Sequence, residues 1–469
     1  MPQDLTQYAG RKCPLAARAV SEIISRSLPP PKTRAITMYR HSKRLRLAVP
    51  IFIIALAGGD WPQFRGPNAT GIASDANIPV RFGEGNGMLW QVALPGAGNS
   101  SPIVSKGKLF IQSASADGRR RMLLCLDAAS GKTLWTQTMP GVKAHTHNLN
   151  TLASSTPAAD GQRVFALFWD GKAVALAAFD YDGGKRWQQN LGPFRSEHGA
   201  GASPVVFDGR VYINFDQDRV NARTGEELPG AEHGTAMLAF DAVTGKPLWR
   251  AERTGYRACY SAPILRTTAD GGKEIVAANM IAVTGYNPAT GAANWTWQWN
   301  WPDGAEKLRT VATPVVWKDI VFVQGGNGGG NSDIVALRAG SPGKPPRVIW
   351  EKKRGAFSYV PCMLVVADRL FTVHDKTGTA ACYEAATGKM VWDQRLNGEF
   401  RSSPVLIEGK IYLANDRGDI YVFPAAGSYR ELARNALGEG ITASPAVADG
   451  RLYIRGSEHL FCFGRPQSR

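Results

Sequence analysis

Apolar and polar residues alternate along most of the chain with the period of a half-buried strand, in short runs broken by glycine-containing turns. Lys106 to Ser113, Asp208 to Phe215, Glu408 to Asn415 and Asp449 to Gly456 share one pattern, a Lys-Gly, Asp-Gly or Glu-Gly pair followed by Val, Ile, Leu or Tyr at alternate positions. Such a pair ahead of a β-prone run predicts a tight hairpin. Each hairpin belongs to a larger repeat. A dipeptide ending in proline, followed by alternating apolar residues, recurs at Ser101-Pro102, Thr156-Pro157, Ser203-Pro204, Ala262-Pro263, Thr313-Pro314, Val360-Pro361, Ser403-Pro404 and Ser444-Pro445, eight copies spaced 41 to 59 residues apart. A third segment closes most copies, as in Leu123 to Trp135, Ala239 to Trp249, Gly285 to Trp295 and Cys382 to Trp392, with a shorter form at Ala178 to Trp187. There an Asp, Asn or Glu precedes a Gly turn and a strand ending in Trp.

Each copy therefore predicts four short antiparallel strands, A to D, and a four-stranded sheet repeated around an axis is a propeller blade. The fold class is all-β, an eight-bladed propeller over residues 88–464, with a seven- or nine-bladed ring as the alternative count. The last copy stops after its third strand, near His459 to Phe463, while Met88 to Leu94 reads as an orphan fourth strand ending in the same Trp position. The N-terminal strand should thus complete the last blade and remove two exposed edges. Trp90, Trp135, Trp187, Trp249, Trp295, Trp350 and Trp392 are expected to dock over the Gly turn of the neighbouring blade, where a missing side chain leaves room. Copy seven has Leu432 at that position.

The N-terminus carries a different pattern. An apolar run, Leu47 to Ala57, follows the basic stretch Arg40 to Arg46 and ends on small residues. It is too short for a transmembrane helix and reads as a secretory signal over 38–57, with Met38 as a plausible start and 1–37 as an over-extended one. The chain is then periplasmic or extracellular, without a lipid anchor because Gly58-Gly59-Asp60 follows the cleavage point. Residues 58–87 form an extension expected to pack on the propeller rim, and 465–469 a tail. Of 55 basic and 39 acidic residues, ten and two lie in 1–57, leaving 45 against 37. No later segment concentrates Lys and Arg among aromatics, so nucleic-acid binding is not indicated. The six cysteines, Cys13, Cys125, Cys259, Cys362, Cys382 and Cys462, include no adjacent pair and no CxxC, which argues against a disulfide framework or a zinc site. A monomer is expected.

The Asp-x-x-Thr-Gly-Lys-x-x-Trp signature resembles the tryptophan-docking motif of PQQ-type propellers. That resemblance covers roughly 88–464. The group includes quinoprotein alcohol dehydrogenases, which bind pyrroloquinoline quinone (PQQ) and calcium, and BamB-type lipoproteins, scaffolds in outer-membrane protein assembly. Two departures stand out: no adjacent cysteines are present to form the disulfide typical over the quinone, and no cysteine follows the signal to take a lipid. The resemblance implies a fold more strongly than a chemistry.

In such a blade the D–A and B–C loops share one face, and here the irregular, polar loops fall on it. Candidate face residues are His145, His147, Asn148, Glu197, His198, Asp216, Arg257, Tyr260, Arg309, Tyr359, Glu399 and Arg401. His145 and His147 offer two imidazoles without an identified third ligand, so no metal site is assigned. Glu197 with Asn148 or Asp216 offers oxygen donors for calcium. The three arginines offer bidentate partners for an anionic quinone or another carboxylate, or else inter-blade salt bridges. Two functions follow: a non-enzymatic module binding an envelope or extracellular protein, or a small ligand, through this face, or a PQQ- and calcium-dependent oxidoreductase of an alcohol or sugar with Glu197 or Asp216 as ligand or base. The first is favoured.

Overall fold

The computed structural model describes residues 59–75, 77–220, 226–228, 234–300, 309–327, 332–355 and 357–465. The segment read as a secretory signal, the residues before it and most of the tail lie outside them. Eight four-stranded antiparallel sheets follow one another along the chain, and each begins at its innermost strand. The first blade is Ile103–Ser105, Lys108–Ala114, Arg120–Asp127 and Thr133–Pro140. In the last, Ala446–Ala448, Arg451–Arg455 and His459–Gly464 are completed by the N-terminal strand Met88–Ala93, with Trp90 opposite Cys462 and Ala93 opposite His459. The ring is closed by pairing the two ends of the propeller sequence, as the orphan strand implied.

The A–B hairpins turn on residues in the left-handed region. Lys106 and Gly107 have φ of 50° and 73°, and Asp449 and Gly450 of 54° and 69°. Two positive φ values in succession are the two-residue turn whose twist matches its strands. The inner three strands of each blade are almost wholly buried while the outermost strand alternates, as in Thr133–Pro140.

The tryptophans tie neighbouring blades. The Trp90 ring lies against Gly131, Trp135 against Gly183, Trp187 against Gly245, Trp249 against Gly291 and Trp350 against Gly388; an added Cβ at any of these glycines would fall within 3.0 Å of the indole. Each of these indoles also donates to a turn carbonyl of the next blade, for example Trp135 Nε1 to Tyr181 O at 2.9 Å. Trp392 reaches Ala426 O at 3.0 Å in the same way.

Three expectations need correcting. Trp295 does not donate to the next blade; its Nε1 donates to the buried Glu274 of its own blade at 2.9 Å. Blade five has no Asp-x-x-Thr-Gly turn to receive it, and Gly285, where other blades carry Ala or Cys, leaves the indole room to turn back. In blade seven, Val422 pairs with Ala433, so Ala433 and not Leu432 holds the Trp position. Blade eight has no C–D turn to receive a Trp, because its third and fourth strands come from opposite ends of the propeller sequence. Phe82 fills that junction, with its ring 4.6 Å from Phe463 and its N–H donating to Asn435 Oδ1 at 3.0 Å. In blade six, Leu364 pairs with Phe371 just as Ile103 pairs with Phe110, so Cys362-Met363, rather than Val360-Pro361, matches Ser101-Pro102.

The extension does not lie on the rim. It runs along the free edges of the innermost strands of several blades. Trp61 forms a two-way backbone bridge with Val104 (2.8 and 2.9 Å), Pro62 O accepts from Ala159 N–H (2.7 Å) and Gln63 Oε1 from Val206 N–H (3.2 Å). Asn68 bonds the backbone of Leu265 in both directions (2.6 and 2.8 Å), and Gly71 and Ala73 bracket Leu406 (2.7 and 2.9 Å). Asp75 Oδ1 then accepts from Gly450 N–H at 2.9 Å. The segment meets the inner strands in ring order, blades one to four and then seven and eight, and between Asn68 and Ile72 it lies beside Val316 and Val365 of blades five and six. The inner strands have backbone groups facing the channel with no neighbouring strand, and this segment satisfies a share of them. It is a plug at the A–B end of the channel.

Candidate functional site

Above the plug the channel widens into a cavity of about 540 Å³ that opens on the D–A and B–C loop face. Phe64 of the extension reaches its lining and gives it an aromatic surface. Tyr260, Tyr359 and Leu149 supply further apolar surface, and Asn99, Asn148, Asn150, Asp375, Lys376 and Arg401 polar groups. A concave, mixed site on the axis of a ring is the usual place for a ligand.

The throat is built from the repeat itself. The residue before the repeat proline, or its equivalent, places a hydroxyl or thiol toward its neighbour in the preceding blade. Ser101 N–H donates to Thr156 Oγ1 (3.0 Å), Thr156 N–H to Ser203 Oγ (3.0 Å), Cys362 N–H to Ser403 Oγ (3.0 Å), Ser403 N–H to Ser444 Oγ (2.9 Å) and Ser444 N–H to Ser101 Oγ (3.0 Å). Thr313 N–H meets Cys362 Sγ at 3.2 Å. Ala262, at this position in blade four, has no hydroxyl and interrupts the circle. The proline was legible as a strand marker; the residue beside it, which lines the throat, was passed over.

Charged residues gather around the mouth in two clusters. In the first, Arg257 Nη2 donates to Glu197 Oε2 at 2.6 Å, and Arg309 Nη2 lies 3.4 Å from the same oxygen and 3.9 Å from Asp218. Asp218 also accepts the backbone N–H groups of Glu197 and Ala258, each at 2.6 Å. Burial alone would raise the Glu197 carboxyl. The hydrogen bond and charge of Arg257, with His198 and Arg309, outweigh it and leave Glu197 below its ordinary value. Arg309 Nη1 donates to His198 Nδ1 at 2.6 Å, and the His198 ring stacks on His147 at 4.6 Å. Burial first, then Arg309 and His147, push His198 down to about 4, so its imidazole is neutral and accepts from the guanidinium. In the second cluster Arg401 contacts Glu399 and lies 3.7 Å from Asp375, whose carboxyl is raised mainly by burial.

Of the residues marked in the sequence, His147, Asn148, His198, Tyr260, Tyr359, Glu399 and Arg401 line the cavity. Glu197, Arg257 and Arg309 are outside the lining, beside His198, to which Arg309 donates. His145 is exposed and outside the lining. Asp216 is not on the face. It is buried against Arg253 at 3.3 Å, and burial, partly offset by Arg253, raises its carboxyl to about 6. Phe64, Asn99, Asn150 and Lys376 carried no signal that separated them from other loop or extension residues.

The donor set does not fit a calcium–quinone pair. Glu197, Asp218, Asp375 and Glu399, the carboxylates nearest the mouth, are each engaged by an arginine, and a second cation would have to displace it. Among the described residues no group of three or more His, Cys, Asp and Glu is placed to hold a metal. The described cysteines are all free and buried.

Comparison with known proteins agrees with this architecture. The family model described as outer membrane protein assembly factor BamB matches residues 83–228, 176–344, 214–380 and 347–430. The BamB of Yersinia pestis is 25% identical over 361 residues, 75% of this chain and 82% of that protein. A polyvinylalcohol dehydrogenase of a Pseudomonas species is 23% identical over 166 residues, 35% of this chain and only 24% of that enzyme. Among solved structures, BamB from Moraxella catarrhalis superposes with a TM-score of 0.56 at 14% identity, over 81% of this chain and 99% of that one. A quinohemoprotein alcohol dehydrogenase from Comamonas testosteroni gives 0.61 at 14% identity, over 87% and 81%. At that identity the structures share a fold and nothing more.

Proposed function

Because the chain belongs to the family of the outer membrane protein assembly factor BamB, we propose that it is a non-enzymatic binding module of the cell envelope or exterior, acting through its loop face. The observation that carries this reading is the pairing of the carboxylates at the cavity mouth with Arg257, Arg309 and Arg401. A carboxylate held as an arginine partner, with its proton affinity lowered as at Glu197, is a poor general base and an unavailable metal ligand. The same network fixes the loops rigidly and so presents a shaped surface to a partner at low entropic cost. Leu149, half-exposed beside the cavity, adds an apolar anchor to that surface.

Placing a photo-crosslinking residue at position 149, or at Ala289 on the turns of the opposite face, separates the two faces in the cell that makes the protein. A discrete protein adduct is expected from position 149 and none from 289. Adducts from 289 alone, or equally from both, would remove the loop face as the binding surface.

A further inference from the structure

We infer that the throat of the cavity is a binding site for the carboxylate group of a small organic acid. This rests on the reading of the loop face as the ligand-accepting one. Five hydroxyls carry it: Ser403, Ser444, Ser101, Thr156 and Ser203, which belong to five consecutive blades counted through the ring closure. All five are buried, all five line the cavity, and each uses its oxygen to accept the backbone N–H of the preceding blade. Among the described residues none of them has an acceptor for its own hydrogen. A buried hydroxyl seeks a partner for that hydrogen, and an arc of five brings five such hydrogens to one throat.

An anion draws the most from such an arc. An ionised carboxylate only accepts, through two oxygens with about four lone-pair sites, and hydrogen bonds to a charged group are stronger than neutral ones. Charge at the entrance is compatible. Asp375 and Glu399 are held on Arg401, while Lys376 forms no ion pair among the described residues and Arg401 Nε has no partner. Tyr260, Tyr359 and Phe64 offer surface to an apolar or aromatic body attached to the carboxylate. Ala262 leaves a gap in the arc. No bond from Ser203 N–H is made to it, and a serine there would take that N–H and add a sixth inward donor.

Calorimetric titration of the full chain with benzoate, benzamide and inorganic phosphate tests this. Benzoate is expected to bind and benzamide to bind about tenfold or more weakly, the difference between a charged and a neutral acceptor. Ser403→Ala should weaken benzoate about tenfold and Ala262→Ser should tighten it severalfold. The second variant keeps the test decisive if the first disturbs folding. Equal binding of benzoate and benzamide, tighter binding of phosphate, or no benzoate binding would each overturn the assignment. Loss of this site with the position-149 adduct intact would leave the loop-face reading standing.

Discussion

Glu274→Ala is expected to lower the stability of the propeller by about 3–5 kcal/mol, the cost of removing one partner from a buried ion pair. The Glu274 side chain is fully buried and that of Arg266 is 5% exposed. Arg266 donates to Glu274 Oε2 from Nη2 at 2.7 Å and from Nε at 3.0 Å. Asn294 Nδ2 donates to Oε1 at 2.8 Å and Trp295 Nε1 to Oε2 at 2.9 Å. Truncation therefore strands a guanidinium, an amide and an indole in one step. It also releases Trp295, which in this blade stands in for a docking tryptophan. Arg266 also reaches Gly340 O at 3.3 Å, in the turn of blade five, so the pair ties blades four and five together where Trp295 packs against Gly340. Thermal unfolding should begin several degrees earlier in the variant. An unchanged midpoint would mean the pair contributes no net stability.

Trp61→Ala is the second large effect, again about 3–5 kcal/mol, from the loss of a fully buried aromatic. Trp61 is 1% exposed within the core cluster that joins the extension to blades seven, eight and one. Gly66, at φ 72°, folds back over its ring so closely that an added Cβ would lie 2.5 Å from it. The indole is thus both anchor and template for the turn at Gly66. Its loss should release the segment from the channel, and hydrogen exchange should show faster exchange at Trp61, Gly71 and Ala73, whose N–H groups are bonded in the plug. Amides of the outer strands should change little. Unaltered exchange in the plug would show that its backbone ladder holds without the side chain.

The ring, its closure and most Trp–Gly contacts were legible because each is written locally and repeated. A hairpin turn, a docking tryptophan and a proline-marked inner strand each sit at a fixed offset within one copy. What escaped depended on partners far apart in the chain. Trp295 turns inward because a turn in the next blade is missing and because Gly285 lies beside it, a combination no single repeat announces. Pro361 drew the register of blade six two residues astray, since a proline marks a strand entrance without fixing which one. The plug could not be read from Asp60 to Pro67, because its bonds are to inner strands as distant as Leu265 and Leu406. Asp216 looked like a face residue by its position after a B strand, yet Arg253 draws it beneath the surface. Loop irregularity picked out seven residues that line one cavity, while the pairing of its carboxylates by Arg257, Arg309 and Arg401 is a matter of three-dimensional proximity.

The central claim, a binding pocket whose carboxylates are occupied by arginine and not by a metal, is tested most directly by titrating the full chain with pyrroloquinoline quinone, with and without calcium, in a calorimeter. The account expects calcium to make no difference: any binding of the quinone, itself a carboxylic acid, would be equally strong in chelator. Tight binding that appears only with calcium would show that a cation displaces the arginines, and would contradict the account in favour of a quinone-dependent enzyme.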